Sequence, residues 1–226
     1  MKKMLMMASG FAFATTTVGM ADVLQTESFE GYATGSQYQD TGDSEVSHWL
    51  ENNEGQAIVD GDTWSSYYTS TGGVGLTDGD WVGVTAFTGS TGGFTDGDQA
   101  FQWTDVDGQV DMIFDAVAGA TTITLDLFIL DTGYEGSNPV DFLSVGAGDW
   151  DGGLYIEGDD LEDYGYWMQV TLTGTSDAEL VISLSNNSGS EGIYIDNIVW
   201  SGDAIPAPGA LALLGLAGLA GKRRRR

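Results

Sequence analysis

The chain has 226 residues, and its 34 acidic residues against 7 basic ones give a net charge of −27. All the basic residues lie at the two ends, so the long body between Lys3 and Lys222 contains neither lysine nor arginine. Naked DNA or RNA is excluded as a direct partner, because phosphate recognition depends on cationic side chains. The hydrophobic content of 42% and the aromatic content of 11% suffice for a folded core. The absence of cysteine excludes disulfides and thiolate chemistry.

The N-terminal segment has the pattern of a secretory signal peptide. Lys2 and Lys3 precede an apolar stretch, and small residues follow up to Ala21. A positive start, a short apolar helix and small residues at its end are typical of a segment that signal peptidase removes. We therefore predict a signal helix within residues 1–21, cleavage before Asp22, and export of the remainder.

The body consists of short apolar segments separated by clusters of glycine with aspartate, serine, threonine or asparagine, which form turns. The segments are rich in β-branched and aromatic residues, and several alternate with period two, as from Thr122 to Ile129. This pattern predicts an all-β domain over residues 22–203, a two-sheet antiparallel β-sandwich of the jelly-roll type. About ten to twelve strands are expected, near residues 24–32, 56–60, 81–87, 99–104, 109–117, 121–130, 140–146, 153–157, 166–173, 179–185 and 193–200.

The C-terminal tail, residues 204–226, combines a proline-rich hinge, an apolar helix and a basic cluster. The positive-inside rule holds such a cluster in the cytoplasm while the acidic body is exported. The apolar stretch from Ile205 to Gly221 falls short of the roughly 20 residues that span a bilayer. We expect transient retention at the inner membrane, with a single-pass anchor as the alternative.

This tail resembles the PEP-CTERM sorting signal of bacteria. Pro206, Pro208 and Gly209 match its Pro-x-Pro motif, whereas Ala207 stands where the family usually has glutamate. The resemblance implies that an exosortase-like enzyme cuts near the motif and delivers the body to the cell envelope or outside the cell. The terminal basic cluster of the signal corresponds to Arg223, Arg224, Arg225 and Arg226.

The ends of the body are similar to bacterial jelly-roll modules of the carbohydrate-binding or galactose-binding-like type. The resemblance rests on an early Phe29-Glu30 strand and a closing strand from Ile193 to Ile198. In such modules an early acid and a late aspartate help to hold a structural calcium, and the matching positions here are Glu30 and Asp196. The other Asp-Gly pairs of the chain are interpreted as ordinary turns.

Trp64, Tyr67 and Tyr68 lie together in a segment rich in serine and threonine. Exposed aromatic rings can stack on sugar rings, so we predict a glycan-binding role for these three residues. Packing inside the sandwich is the alternative interpretation.

The sequence thus predicts an exported, non-catalytic protein of the cell surface or extracellular matrix that binds polysaccharide and a structural Ca²⁺. The alternative is an extracellular glycan hydrolase that uses a pair of carboxylates. Serine-histidine catalysis has little support, because His48 is the sole histidine and no Gly-x-Ser-x-Gly elbow is present.

Overall fold

A computed structural model describes residues 21–43, 45–137 and 140–202. The predicted signal helix and the predicted sorting tail, with its proline motif and arginine cluster, lie outside these residues. Within the described ranges, no helix is long and apolar enough to cross a membrane.

The described residues form twelve strands and one short 3₁₀ helix, which spans Gly158–Asp163. The strands are β1 (Asp22–Glu27), β2 (His48–Trp49), β3 (Trp64–Ser70), β4 (Trp81–Thr85), β5 (Ala100–Thr104), β6 (Gly108–Phe114), β7 (Ala120–Ile129), β8 (Phe142–Gly146), β9 (Leu154–Glu157), β10 (Met168–Thr173), β11 (Leu180–Asn186) and β12 (Gly192–Gly202).

The strands form two antiparallel sheets, which confirms the predicted two-sheet β-sandwich. The first sheet has the order β10-β7-β12-β5-β4, with β1 alongside the second half of β12. The second sheet has the order β2-β3-β6-β11-β8-β9. From β5 to β8 each successive strand belongs to the opposite sheet, so these connections cross between the layers.

Most predicted strands are present, but four segments differ, one of them the two-residue strand β2, which no predicted strand covers. Residues 56–60 form no strand, and a hydrogen bond from the Val84 amide to the Ile58 carbonyl joins them to the first sheet. Strand β3 lies in the segment whose aromatic rings were predicted to bind glycan. Strand β1 ends at Glu27, so Phe29, with a positive φ of 62°, and Glu30 lie in the turn that follows.

The core lies between the sheets and is rich in aromatic rings. Phe101 packs against Phe29 and Trp64, with ring centroids 5.7 Å and 5.3 Å apart, and Trp103 and Trp200 are fully buried. Burial of each large apolar side chain contributes on the order of 2 kcal/mol to stability. A body without internal Lys or Arg is therefore held chiefly by apolar packing and the β-ladders.

The outer face of the first sheet is covered by the connection between β4 and β5, residues 86–99, which we call the covering segment. The indole Nε1 of Trp167 donates a hydrogen bond to the Gly93 carbonyl at 2.9 Å. Beneath this segment the outward residues Phe128 and Tyr194 are buried although they lie outside the main core. The outward side chains of the second sheet are instead partly exposed, as at Tyr67 and Asp111, and we call this outer face the open face.

Candidate functional site

Strand β3 separates the three aromatic residues that the sequence analysis grouped. Trp64 and Tyr68 are buried in the core, whereas Tyr67 points to the opposite face and is partly exposed. Successive side chains of a strand alternate between faces, so the three rings cannot line one surface. This corrects the predicted glycan contacts at Trp64 and Tyr68, and leaves Tyr67 as the ring on the open face.

Tyr67 belongs to a row of outward side chains that crosses the whole second sheet. Directly paired residues of antiparallel strands project to the same face. The row, which we call the open-face row, follows from the registers of the five strand pairs and consists of Trp49, Tyr67, Asp111, Ser183, Ser144 and Tyr155. With strands about 4.8 Å apart, it extends roughly 24 Å from β2 to β9.

Aromatic rings stand at both ends of this row. Trp49 is 53% exposed and contacts Tyr67 edge to face, with ring centroids 5.0 Å apart. At the other end Tyr155, 62% exposed, is stacked on Phe142 at 6.1 Å and an angle of 24°. Exposed aromatic pairs of this kind offer flat apolar surfaces, while their polar edges remain in water.

The middle of the row is polar. The Gln109 side-chain amide donates to Oδ1 of Asp111 at 2.8 Å, which fixes the orientation of that carboxylate. Ser183 of β11 and Ser144 of β8 are directly paired, so both project to this face as neighbours. A surface with apolar rings at its ends and oriented hydrogen-bonding groups between them suits a ligand that carries many hydroxyls on flat rings.

A cavity adjoins each aromatic end. The cavity beside Trp49 has a volume of about 470 Å³ and includes His48 and Asp40 in its lining. His48 Nε2 lies 3.0 Å from Oδ2 of Asp40, the only ion pair among the residues described. Desolvation lowers the pKa of His48, but the Val46 carbonyl and Asp40 together raise it above its usual value.

The cavity beside Tyr155 has a volume of about 480 Å³ and is lined by acidic residues of β9 and the 3₁₀ helix. The Tyr155 hydroxyl donates to Oε2 of Glu157 at 2.8 Å, and this bond raises the pKa of the phenol. Asp160 and Asp163 complete the acidic lining. Both ends of the open face thus combine an exposed ring with hydrogen-bond acceptors.

Glu30 and Asp196, the predicted calcium ligands, both hold the covering segment. Asp196 is buried at a bulge of β12, and its Oδ2 accepts bonds from the Thr95 amide (2.8 Å), the Thr95 hydroxyl (3.0 Å) and the Asp96 amide (2.7 Å). Oε1 of Glu30 accepts the amides of Asp98 and Gln99, both at 2.6 Å. Backbone N–H groups therefore supply positive partners to these carboxylates, and calcium at this position stays a prediction.

A separate acidic cavity of about 220 Å³ lies where β4 begins and β5 ends. Asp80 is buried there, and its Oδ2 has no hydrogen-bond partner. Burial, reinforced by the neighbouring Asp78, Asp105 and Asp107, raises the pKa of Asp80 to about 9. Asp80 is therefore protonated at neutral pH unless a cation occupies the cavity.

Neither a protein-family model nor a curated protein matches the chain. Among solved structures, a family 61 carbohydrate-binding module in complex with β-1,4-galactotriose is similar at 12% identity and a TM-score of 0.41, over 64% of this chain and 92% of that one. The K2 cleaved adhesin domain of Lys-gingipain is similar at 14% identity and a TM-score of 0.44, over 78% and 98%.

A family 11 carbohydrate-binding module from Clostridium thermocellum, in complex with a β-1,3-1,4-mixed-linked tetrasaccharide, is similar at 16% identity. Its TM-score is 0.31, and the match covers 69% of this chain and 95% of that one. Likenesses of this degree assign no ligand to this chain.

Proposed function

We propose that this protein is an exported, non-catalytic surface or matrix protein that binds a polysaccharide chain along the open-face row. The observation that supports the proposal is the register of the second sheet, which aligns Trp49 and Tyr67 at one edge with Tyr155 at the other. Rings at the ends would stack on sugars, and the polar centre around Asp111 would accept bonds from hydroxyl groups.

Binding is favoured over hydrolysis by the chemistry of this row. A glycosidase places two carboxyl groups roughly 5–10 Å apart on either side of the scissile bond. Asp111 is the one carboxylate in the open-face row, and it is held by Gln109. The strongly raised carboxyl pKa values of the described residues belong to Asp80, Asp141 and Glu191, which lie outside the row.

Export and delivery to the cell envelope form part of the proposal. Their support is in the sequence: the signal-peptide pattern before Asp22 and the sorting tail with Pro206 and Pro208. Signal peptidase and an exosortase-like enzyme are the processing partners that these patterns imply. A structural Ca²⁺ at Glu30 and Asp196 is also part of the proposal. Its support is that both carboxylates bind the covering segment.

Binding to insoluble polysaccharides tests the glycan proposal, with β-1,4-galactan, mixed-linkage β-glucan and xylan as the first probes. We expect Trp49→Ala and Tyr155→Ala each to weaken binding roughly tenfold, because each removes an aromatic stacking surface. Phe87→Ala is the matched control, since this ring is also 53% exposed but lies on the covering segment of the other face.

Retention of full affinity in the Trp49 and Tyr155 variants, or equal loss in the Phe87 variant, would contradict binding at the open face. Release of reducing ends from any probe would instead favour the hydrolase.

A further inference from the structure

Three carboxylates from two different connections converge at one end of the sandwich. Glu135 and Asp141 lie in the connection from β7 to β8, and Glu191 lies in the connection from β11 to β12. One oxygen of each residue lies within 4.8 Å of one oxygen of the other two. Each of these connections crosses from one sheet to the other.

Two of the three carboxylates are fully removed from water. Asp141 and Glu191 have no exposed surface, and Glu135 is exposed at the outer side of the group. Oε2 of Glu191 accepts the Asn187 amide at 2.7 Å, but its Oε1 is buried without any hydrogen-bond partner. A buried carboxylate oxygen without a partner is costly, so its presence calls for a ligand at this point.

The orientation of the group is fixed by neighbouring polar atoms. Oδ2 of Asp141 accepts the backbone amide of Glu135 at 2.6 Å, and Oδ1 accepts the Asn187 side-chain amide at 3.3 Å. Asn187 thus contacts both buried acids, one with its side chain and the other with its backbone. This second layer of contacts holds the oxygens in place in the way that outer partners orient metal ligands.

Within the part of the chain that the structure describes, no lysine or arginine side chain balances these charges. The basic residues of the chain are confined to its ends, and the sole histidine, His48, pairs with Asp40. Burial, reinforced by the charges of neighbouring acids, raises the pKa of Glu191 to about 7, and burial raises that of Asp141 to about 6. The buried and unpartnered Oε1 of Glu191 is therefore left for a ligand from solution to satisfy.

We propose that Glu135, Asp141 and Glu191 form a binding site for a divalent cation, and that this cation is Ca²⁺. Calcium binds carboxylate oxygens at roughly 2.3–2.6 Å, so its ligand atoms can be up to about 5 Å apart, as these are. Magnesium demands shorter and more regular coordination, and zinc prefers nitrogen and sulfur ligands. The site is distinct from the pair Glu30 and Asp196, and it does not depend on glycan binding.

An ion at this position would join the two sheets. It would link the connection between β7 and β8 to the connection between β11 and β12, so both crossings would be fixed by one centre. Because the unfolded chain does not bring these residues together, binding stabilises the folded state in proportion to the logarithm of the calcium concentration.

Thermal unfolding and titration calorimetry of the chelator-treated full chain with CaCl₂ test this site. We expect Ca²⁺ to raise the melting temperature more than NaCl of equal ionic strength. Glu135→Gln should weaken calcium binding at least tenfold without lowering the melting temperature in chelator, because Glu135 is exposed and its charge only adds to the repulsion within the group. Glu191→Gln should abolish the binding and, by removing a buried charge, raise the metal-free stability above pH 7.

Two variants control for other sites. Glu54→Gln removes an exposed acid elsewhere and should leave calcium binding unchanged. Glu30→Gln reports on the second predicted calcium site, and a loss confined to that site leaves binding at Glu135 and Glu191 intact. A calcium effect that NaCl reproduces, or that survives both Glu135→Gln and Glu191→Gln, would overturn the proposal.

Discussion

Asp80 shows how far a single buried acid can depart from its ordinary chemistry. It lies in the cavity it shares with Asp78 and Asp105, and its pKa is raised to about 9, chiefly by burial. An acid with a raised folded-state pKa stabilises the fold fully below its unfolded pKa, near 4. That contribution is lost as the pH rises through 9.

In chelator, the melting temperature should fall by several °C as the pH rises from 5 to 9, because Asp80 loses its proton and with it the contribution of the protonated acid to stability. Asp80→Asn keeps the size of the side chain without its charge, so its decline should be shallower. Melting curves at each pH check this, with Asp62→Asn as the exposed control. If the Asp80 variant follows the wild-type curve in parallel, the site does not hold a buried proton.

At the residue scale the sequence predicts chemistry only in part. Tyr67 is partly exposed and its glycan contact stays a prediction, whereas Trp64 and Tyr68 are buried. The sequence does not separate the three, because a Ser/Thr-rich segment shows no apolar alternation. The sequence does not predict Trp49 as a site residue, because a strand of two residues shows no alternation. Its position becomes clear only from its pairing with Tyr67. Among 34 acids, no local pattern marks Glu191 as a neighbour of Asp141.

At the element scale, apolar alternation predicts where strands lie in the sequence, but it does not predict which strands pair with one another. Strands β7, β10 and β11 each alternate, and each is present close to its predicted bounds. The segment around Val59 is apolar without being a strand. Val59 is buried, but the segment is joined to the first sheet by an isolated hydrogen bond rather than by a ladder. The covering segment itself is held by the carboxylates of Glu30, in a turn, and Asp196, in β12, which the sequence predicts as calcium ligands rather than as acceptors of backbone amides.

Asp196→Ala should destabilise the fold by about 3 kcal/mol, because buried amides then lose a charged acceptor. Hydrogen exchange should accelerate at the amides of Thr95 and Asp96, which bond to this carboxylate. Glu30→Ala is the matched comparison, with a smaller loss of stability and faster exchange at Asp98 and Gln99. Unchanged protection at residues 95 and 96 would show that Asp196 does not hold the segment.

At the scale of the whole molecule, acidic and basic residues occupy separate parts of the chain. All 34 acids lie between Asp22 and Asp203, whereas the seven basic residues lie in the two segments predicted to be removed. The mature protein would then carry carboxylates balanced only by backbone amides, His48 and cations from solution. Such a surface resists association with anions and favours divalent ions.

The intact mass of the extracellular protein checks this division. We expect a product lighter than the 23.9 kDa chain by both terminal segments, with its first residue at Asp22. The protein made without signal peptidase and exosortase serves as the unprocessed reference. A secreted product that retains Arg223 to Arg226 would contradict cleavage of the tail.

The position of β12 also sets the order in which the molecule can assemble. This last strand pairs with β1, β5 and β7, so it joins the start of the chain to its middle. Until residue 202 has been synthesised, β1 has no ladder to enter and the first sheet is split into separate pairs. A chain that folds as it is made could therefore complete the second sheet, whose last strand is β11, but could close the first sheet only once its final strand arrives.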